Sequence, residues 1–217
     1  MVKCCWIWVR IDMKKHLISL RVCLLGVFIG CCGMTSAAQA NEWQEASKVV
    51  VQTTDTMLSI LDDAGEQSLV EVVPAIDEVL SPVVDFRVIA KGVMAKYYRR
   101  AKPEQFEAFV VVFHKSLVNT YAKAIVAFDV GSYDLQTNPG VDKRKGREKI
   151  WVKVYAGSSV YDIHYTMSAK SGPWKVTNVV LDGVNLGLAF RNQFAAAMRE
   201  NGNDMDAVIA NWNQSSS

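Results

Sequence analysis

The chain has 217 residues, half of them hydrophobic, with 24 Lys+Arg against 22 Asp+Glu and a formal charge of +2, which suits one domain or a small pair. So even a balance gives no broad electrostatic case for nucleic-acid binding. The five cysteines (Cys4, Cys5, Cys23, Cys31, Cys32) all fall in the first 32 residues, leaving the rest without a thiol for catalysis, a disulfide or a thiolate metal site.

Met1–Ala40 reads as a targeting segment. Met13-Lys14-Lys15-His16 with Arg21 makes a positive n-region, Val22–Gly33 an apolar stretch, and Ala38-Gln39-Ala40 an A-x-A cleavage signal before Asn41. The apolar stretch falls short of the ~20 residues that span a bilayer, so a cleaved signal peptide over residues 1–40 is expected. Residues 1–12 read as an upstream extension of a frame starting at Met13. Cleavage removes five Lys+Arg and one Asp, leaving 19 basic and 21 acidic residues and a charge of −2. Residues 41–217 are expected to fold as a single domain held by its core.

Helical periodicity runs from Asn41 to Phe128. Val49, Val50, Thr53, Met57, Ile60 and Leu61 recur at three- and four-residue steps as one amphipathic helix, ended by Asp62-Asp63-Ala64-Gly65. One or two short helices are predicted around Pro74 in Leu69–Leu80, with a break at Ser81-Pro82. Asp85 is placed as the N-cap of a helix over Phe86–Tyr98. Pro103-Glu104 opens the clearest helix, with Phe106, Phe109, Val110, Phe113, Leu117, Tyr121, Ala124, Ile125 and Phe128 in one apolar stripe. From Val130 the period shortens toward two. Turn residues at Asn138-Pro139-Gly140, Gly157-Ser158-Ser159 and Ser171-Gly172-Pro173 separate four predicted strands, about Val130–Thr137, Lys149–Ala156, Val160–Ala169 and Trp174–Leu181. Helices over Leu186–Arg199 and Asp204–Trp212 close the chain. The expected fold is α+β: N-terminal helices, a curved antiparallel sheet of about four strands, and C-terminal helices enclosing an apolar pocket.

Catalytic chemistry is poorly served. His114 and His164 are the only histidines after the leader, fifty residues apart, and no metalloprotease, nucleophile-elbow, P-loop or dinucleotide-binding motif is present. Asp134 or Asp162 in an apolar pocket, its pKa raised, is the candidate base if the domain is an isomerase or hydrolase of an apolar substrate. No cofactor or metal site is expected. Lys143, Arg144, Lys145 and Arg147 cluster in the turn between the first two strands, where they read either as a solvated loop or as a contact for phosphate headgroups or an acidic partner.

Val84-Asp85-Phe86, Ile89-Ala90, Tyr97-Tyr98-Arg99-Arg100-Ala101-Lys102-Pro103-Glu104-Gln105-Phe106, and the later Trp174-Lys175-Val176 with Asp182-Gly183-Val184-Asn185-Leu186 resemble the MlaC family, also called toluene-tolerance or ABC-transporter auxiliary proteins. Two departures stand out. The family commonly has glycine just before the tyrosine pair, where this chain has Ala95-Lys96, and serine where this chain has Asn185. The resemblance implies a non-enzymatic, monomeric periplasmic carrier that holds phospholipid tails between a curved sheet and helices and maintains outer-membrane lipid asymmetry. It implies exchange of lipid with an inner-membrane ABC transporter complex and an outer-membrane lipoprotein–porin complex. Together with the alternation along the strands it places the tail pocket at Val84, Phe86, Ile89, Tyr97, Phe109, Phe113, Tyr121, Val152, Val154, Ile163, Tyr165, Met167, Val176, Val179, Leu181, Val184 and Leu188. The alternative is an enzyme using the same pocket.

Overall fold

The computed structural model describes residues 34–64, 69–128, 130–137 and 144–212. Most of the expected signal peptide, the Asn138-Pro139-Gly140 turn and Lys143 therefore lie outside the described residues. Glu42–Ser217 forms one compact unit, and the contacts below belong to it.

Helix α1 spans Met34–Ala64, and α2 spans Leu69–Val83. Of the one or two short helices expected around Pro74 there is one, and the structure corrects the break expected at Ser81-Pro82, because the helix runs through both prolines. Val72, Ile76 and Leu80, one turn apart, are buried on its inner face, while Pro74 and Pro82 are exposed. On that side water can reach the carbonyls that proline leaves without a donor, so packing of the inner stripe outweighs the local penalty.

Asp85 caps α3 (Phe86–Met94), its carboxylate accepting from the Val88 N–H at 3.0 Å. The helix expected to continue to Tyr98 instead stops at Met94, and Ala95–Arg100 follows as a 3-10 turn. The break lies at Ala95, whose φ of 47° and ψ of −116° suit glycine far better than a residue with a Cβ. Ala95→Gly is expected to stabilise the fold by about 1 kcal/mol, seen as a higher urea midpoint at unchanged slope. An unchanged or lower midpoint would refute it.

Pro103 and Glu104 start α4 (Pro103–Phe128). The sheet follows as a meander of β1 (Val130–Leu135), β2 (Arg147–Ala156), β3 (Ser159–Ser168), β4 (Lys175–Leu181) and β5 (Val184–Asn185), all neighbours antiparallel. β5 exceeds the expected four strands. Its signal is Asp182-Gly183, whose φ values of 46° and 81° form the tight left-handed hairpin that Asp-Gly favours. Asn185 ends β5 and caps α5 (Leu186–Glu200), accepting from the Leu188 N–H at 3.0 Å. Asparagine and serine cap helices about equally well, which explains why this departure is tolerated. Asp204 caps α6 (Met205–Asn211) through the Asp206 and Ala207 N–H groups. The described residues thus form six α-helices and an open five-stranded antiparallel sheet, an α+β fold.

Three cores hold it. α3, α4, α5 and α6 share an aromatic cluster built on Tyr97, Phe109, Phe113, Phe194 and Trp212. A second core packs Ala46 and Val50 of α1 on Ile150, Val152, Met167 and Trp174. A third joins α2 to Phe86, Val118 and Ala122. Polar ties also fix α1: Trp43 Nε1 donates to the Lys149 carbonyl at 3.3 Å, and Trp174 Nε1 donates to Glu45 at 3.3 Å.

Tyr133 of β1 donates its hydroxyl to Asp55 of α1 at 2.5 Å. Loss of solvent, then the neighbouring Asp55 carboxylate, push this phenol up to about 12 from its ordinary 10.0. The fold therefore favours the neutral phenol. Its contribution is whole below about pH 10 and is lost as pH rises through 12. The stability margin of the wild type over Tyr133→Phe should shrink across that interval in urea titrations, and a constant margin would contradict the latch.

Candidate functional site

Between the inner face of the sheet and α1–α4 lies an apolar cavity of about 90 Å³. α1 supplies Val49, Val50, Thr53, Thr54 and Met57, a stripe at helical spacing. Leu80, Val83, Val84, Ile89, Leu117 and Tyr121 form further walls, and the sheet contributes Tyr165, Val176 and Val179. Val176 and Val179 are three residues apart and would face opposite ways in a regular strand. The bulge that shifts register between Thr166 and Met167 realigns them, pairing Tyr165 with Val179 and Met167 with Val176.

The wall is hydrocarbon apart from hydroxyls. Thr53 and Thr54 donate theirs to the Val49 and Val50 carbonyls at 2.7 and 2.9 Å. Burial raises the phenols of both Tyr121 and Tyr165, Tyr165 more strongly. Among the described lining residues there is no Lys, Arg, His, Asp or Glu. A larger, open cleft of about 320 Å³ lies elsewhere, among Arg100, Lys102, Asp204 and Asp206; its charged walls do not suit hydrocarbon.

Six sequence-predicted pocket residues line the apolar cavity: Val84, Ile89, Tyr121, Tyr165, Val176 and Val179. Phe86 belongs to the third core, and Tyr97, Phe109 and Phe113 to the aromatic cluster. Val152 and Met167, with Val154 against them, pack in the core under α1. Ile163 and Leu181 pair across β3 and β4, half-buried. Val184 and Leu188 are not enclosed, at 57% and 50% exposed, because the hairpin past Gly183 and the first turn of α5 place them outside the wall. Sequence reasoning missed Val49, Val50, Thr53, Thr54, Met57, Leu80, Val83 and Leu117. The signal was the amphipathic stripe of α1, which identifies a buried face without saying what it covers.

Arg144 and Lys145 are exposed and Arg147 half-buried where the chain enters β2. Asp134 and Asp162, the candidate bases, sit on the outer side of the sheet: Tyr155 donates to Asp134 at 2.9 Å, and Asp162 lies 3.7 Å from Lys153. His164 stacks on Trp151 at 4.6 Å between ring centroids. His114 of α4 reaches across to α2. Its Nε2 lies 2.6 Å from Asp77 Oδ1 and 3.3 Å from Ser81 Oγ, and its ring stacks on Phe86 at 4.0 Å. One ring nitrogen faces both oxygens, whereas a serine triad needs serine and aspartate on opposite nitrogens; this cluster ties α2 to α4.

The MlaC protein family matches residues 51–214. Toluene tolerance protein ttg2D of Pseudomonas putida is 38% identical over 140 residues, and the chain spans 64% of the length of that curated relative, the match covering the same share of this chain. A solved structure, the phospholipid-binding protein from Ralstonia solanacearum in complex with a phospholipid, superposes with a TM-score of 0.71 over 79% of this chain and 97% of that one. At 19% identity this likeness speaks for the fold. The family match runs from α1 through the sheet to the last helix, across every element that walls the cavity, and the chain belongs to the MlaC family.

Proposed function

We propose that this chain is a non-enzymatic phospholipid carrier of the periplasm, reached through cleavage of the signal peptide in residues 1–40, with residues 41–217 as its lipid-binding domain. The observation that carries the reading is the hydrocarbon-walled cavity between sheet and helices in a chain of this family. A relative of the same fold is a phospholipid-binding protein in complex with a phospholipid. The physics agrees. Each buried CH₂ is worth ~0.8 kcal/mol, so moving a two-tailed lipid through water requires a protein that covers nearly all of its tails. A phosphate left at the mouth escapes a costly desolvation, with Arg144 and Lys145 as cations for a headgroup or an acidic partner.

The cavity of about 90 Å³ is well below the roughly 300 Å³ at which ligand pockets begin, so loading parts its walls. α1 forms much of this wall: it contributes five lining residues and joins the sheet through the second core and a few side-chain bonds. In this role the protein works as a monomer between an inner-membrane ABC transporter complex and an outer-membrane lipoprotein–porin complex, sustaining outer-membrane lipid asymmetry. Native mass spectrometry of protein purified from the periplasm, followed by solvent extraction, tests the reading. Co-purifying phospholipid in near-stoichiometric amount is expected. Protein that is lipid-free, and stays so after incubation with phospholipid vesicles, would overturn it.

A further inference from the structure

Between Asp85 and Glu104 the chain carries Arg87, Lys91, Lys96, Arg99, Arg100 and Lys102 and no acidic residue. These are six of the 19 basic residues that follow residue 40, whereas all 21 acidic ones lie elsewhere. The fold turns the six outward. Ala90, Val93, Met94 and Tyr97 are buried in the aromatic core, which leaves the cations exposed along α3, the 3-10 turn and its exit. Arg87 is paired with Glu107. Among the described residues no carboxylate comes within ion-pairing distance of the other five. Lys91 and Lys96 instead lie over the rings of Tyr98 and Tyr97, 4.6 and 5.1 Å from their centroids. Arg100 and Lys102 share a cleft with Asp204 and Asp206. Those two carboxylates accept from N–H groups of the first turn of α6 and from Gln105, respectively.

What fits such a surface is an extended sheet of negative charge. Lysine is depleted at the core of protein–protein interfaces, and fixing its flexible, strongly hydrated ammonium against one carboxylate is costly. A bilayer bearing anionic lipid demands no fixed geometry, and each Lys or Arg near it adds to the attraction. The rest of the chain is acidic on balance, so an anionic membrane attracts this face and repels the remainder, which orients the molecule. The patch also holds groups of the kind that settle at a membrane–water interface. Val88, 45% exposed, stands one turn before Lys91, and the half-buried Tyr98 lies under the Lys91 ammonium. Ile89 of the same helix lines the cavity, so a membrane on this face lies near the lipid's compartment. We infer that the exposed face of α3 and the 3-10 turn is a docking surface for bilayers containing anionic phospholipid. This deepens the carrier reading above and rests on it.

Co-sedimentation with vesicles tests it. At low salt the wild type should bind vesicles of equal parts phosphatidylcholine and phosphatidylglycerol far better than vesicles of phosphatidylcholine alone. The preference should vanish at ~1 M salt, where the screening length is ~3 Å. Combining Lys91→Gln, Lys96→Gln and Arg99→Gln removes three cations that no described carboxylate neutralises. At roughly fivefold per charge, binding to the anionic vesicles should fall about a hundredfold. The control combines Lys48→Gln, Lys115→Gln and Lys170→Gln, the same change in net charge at exposed positions elsewhere, and should stay within about threefold of wild type. Equal binding to both kinds of vesicle, or an equal loss in the control, overturns the inference. So does an absence of binding to either, which leaves an acidic protein as the partner of this patch. Lipid extracted per chain is counted in parallel, and the patch variant should retain the wild-type amount, which also shows that it folds. Wild type that docks on no vesicle yet carries lipid leaves the carrier reading intact; wild type without lipid counts against that reading itself.

Discussion

Val179→Glu should yield a folded protein that carries almost no lipid. Val179 faces the cavity across from Tyr165, in the stretch of β4 that the bulge turns inward. An ionised carboxylate there would have no cation among the described lining residues, and burying it beneath acyl chains costs at least several kcal/mol. Burial raises the carboxyl pKa, and protonation lessens that cost but still leaves a polar group among hydrocarbon. A penalty of about 3–4 kcal/mol corresponds to a two- to three-decade loss of affinity, enough to strip the lipid during purification. The matched control is Val160→Glu, since Val160 is 52% exposed and a carboxylate there stays in water. Circular dichroism shows whether each variant folds, and extraction with mass spectrometry counts lipid per chain. The carrier reading expects lipid in wild type and Val160→Glu and its loss in Val179→Glu. Equal lipid in all three would place the tails somewhere other than this cavity.

The fold was more legible than the site, for reasons visible in single residues. Asp85, Asn185 and Asp204 cap helices because their short side chains reach the free N–H groups of a first turn, a local rule. Pro103-Glu104 works in the same way. The Ile150, Val152 and Val154 alternation places those side chains on the α1 side of the sheet, because a strand has only two faces. What escaped depends on distant packing. Nothing local says that α2 continues through Pro74 and Pro82; its inner stripe decides that. Nothing local says that α3 breaks at an alanine, since Ala95 is an ordinary helix former held at an unusual φ by what surrounds it. The cavity is harder still. Phe109 and Leu117 occupy the same apolar stripe of α4, yet the first is packed among aromatic rings and the second lines the space beside Tyr121. Periodicity reports that a side chain faces inward. Whether it meets another side chain or an opening is settled only when all layers are assembled.

That distinction gives the second large effect. Phe109→Ala should lower stability by about 3–5 kcal/mol while leaving lipid per folded molecule unchanged. Phe109 is 0% exposed. Its ring lies 4.8 Å from Phe194 and 5.2 Å from Trp212, both edge-on, and 5.7 Å from Phe113, measured between centroids. Truncation removes burial area and three aromatic contacts at once, and it leaves a void that rings from α4 and α5 and the indole beyond α6 are too rigid to fill. That loss is a large share of the 5–15 kcal/mol by which domains are stable. Urea unfolding at 25 °C should show the midpoint falling steeply, and lipid should be counted under conditions where the variant remains folded. Sequence alone assigns Phe109 to the tail pocket; the structure puts it in the aromatic core outside the cavity wall. A full loss of stability with lipid retained agrees with that partition. Small destabilisation with lipid lost would mean that the aromatic core opens onto the cavity when tails enter, and that Phe109 belongs to the site after all.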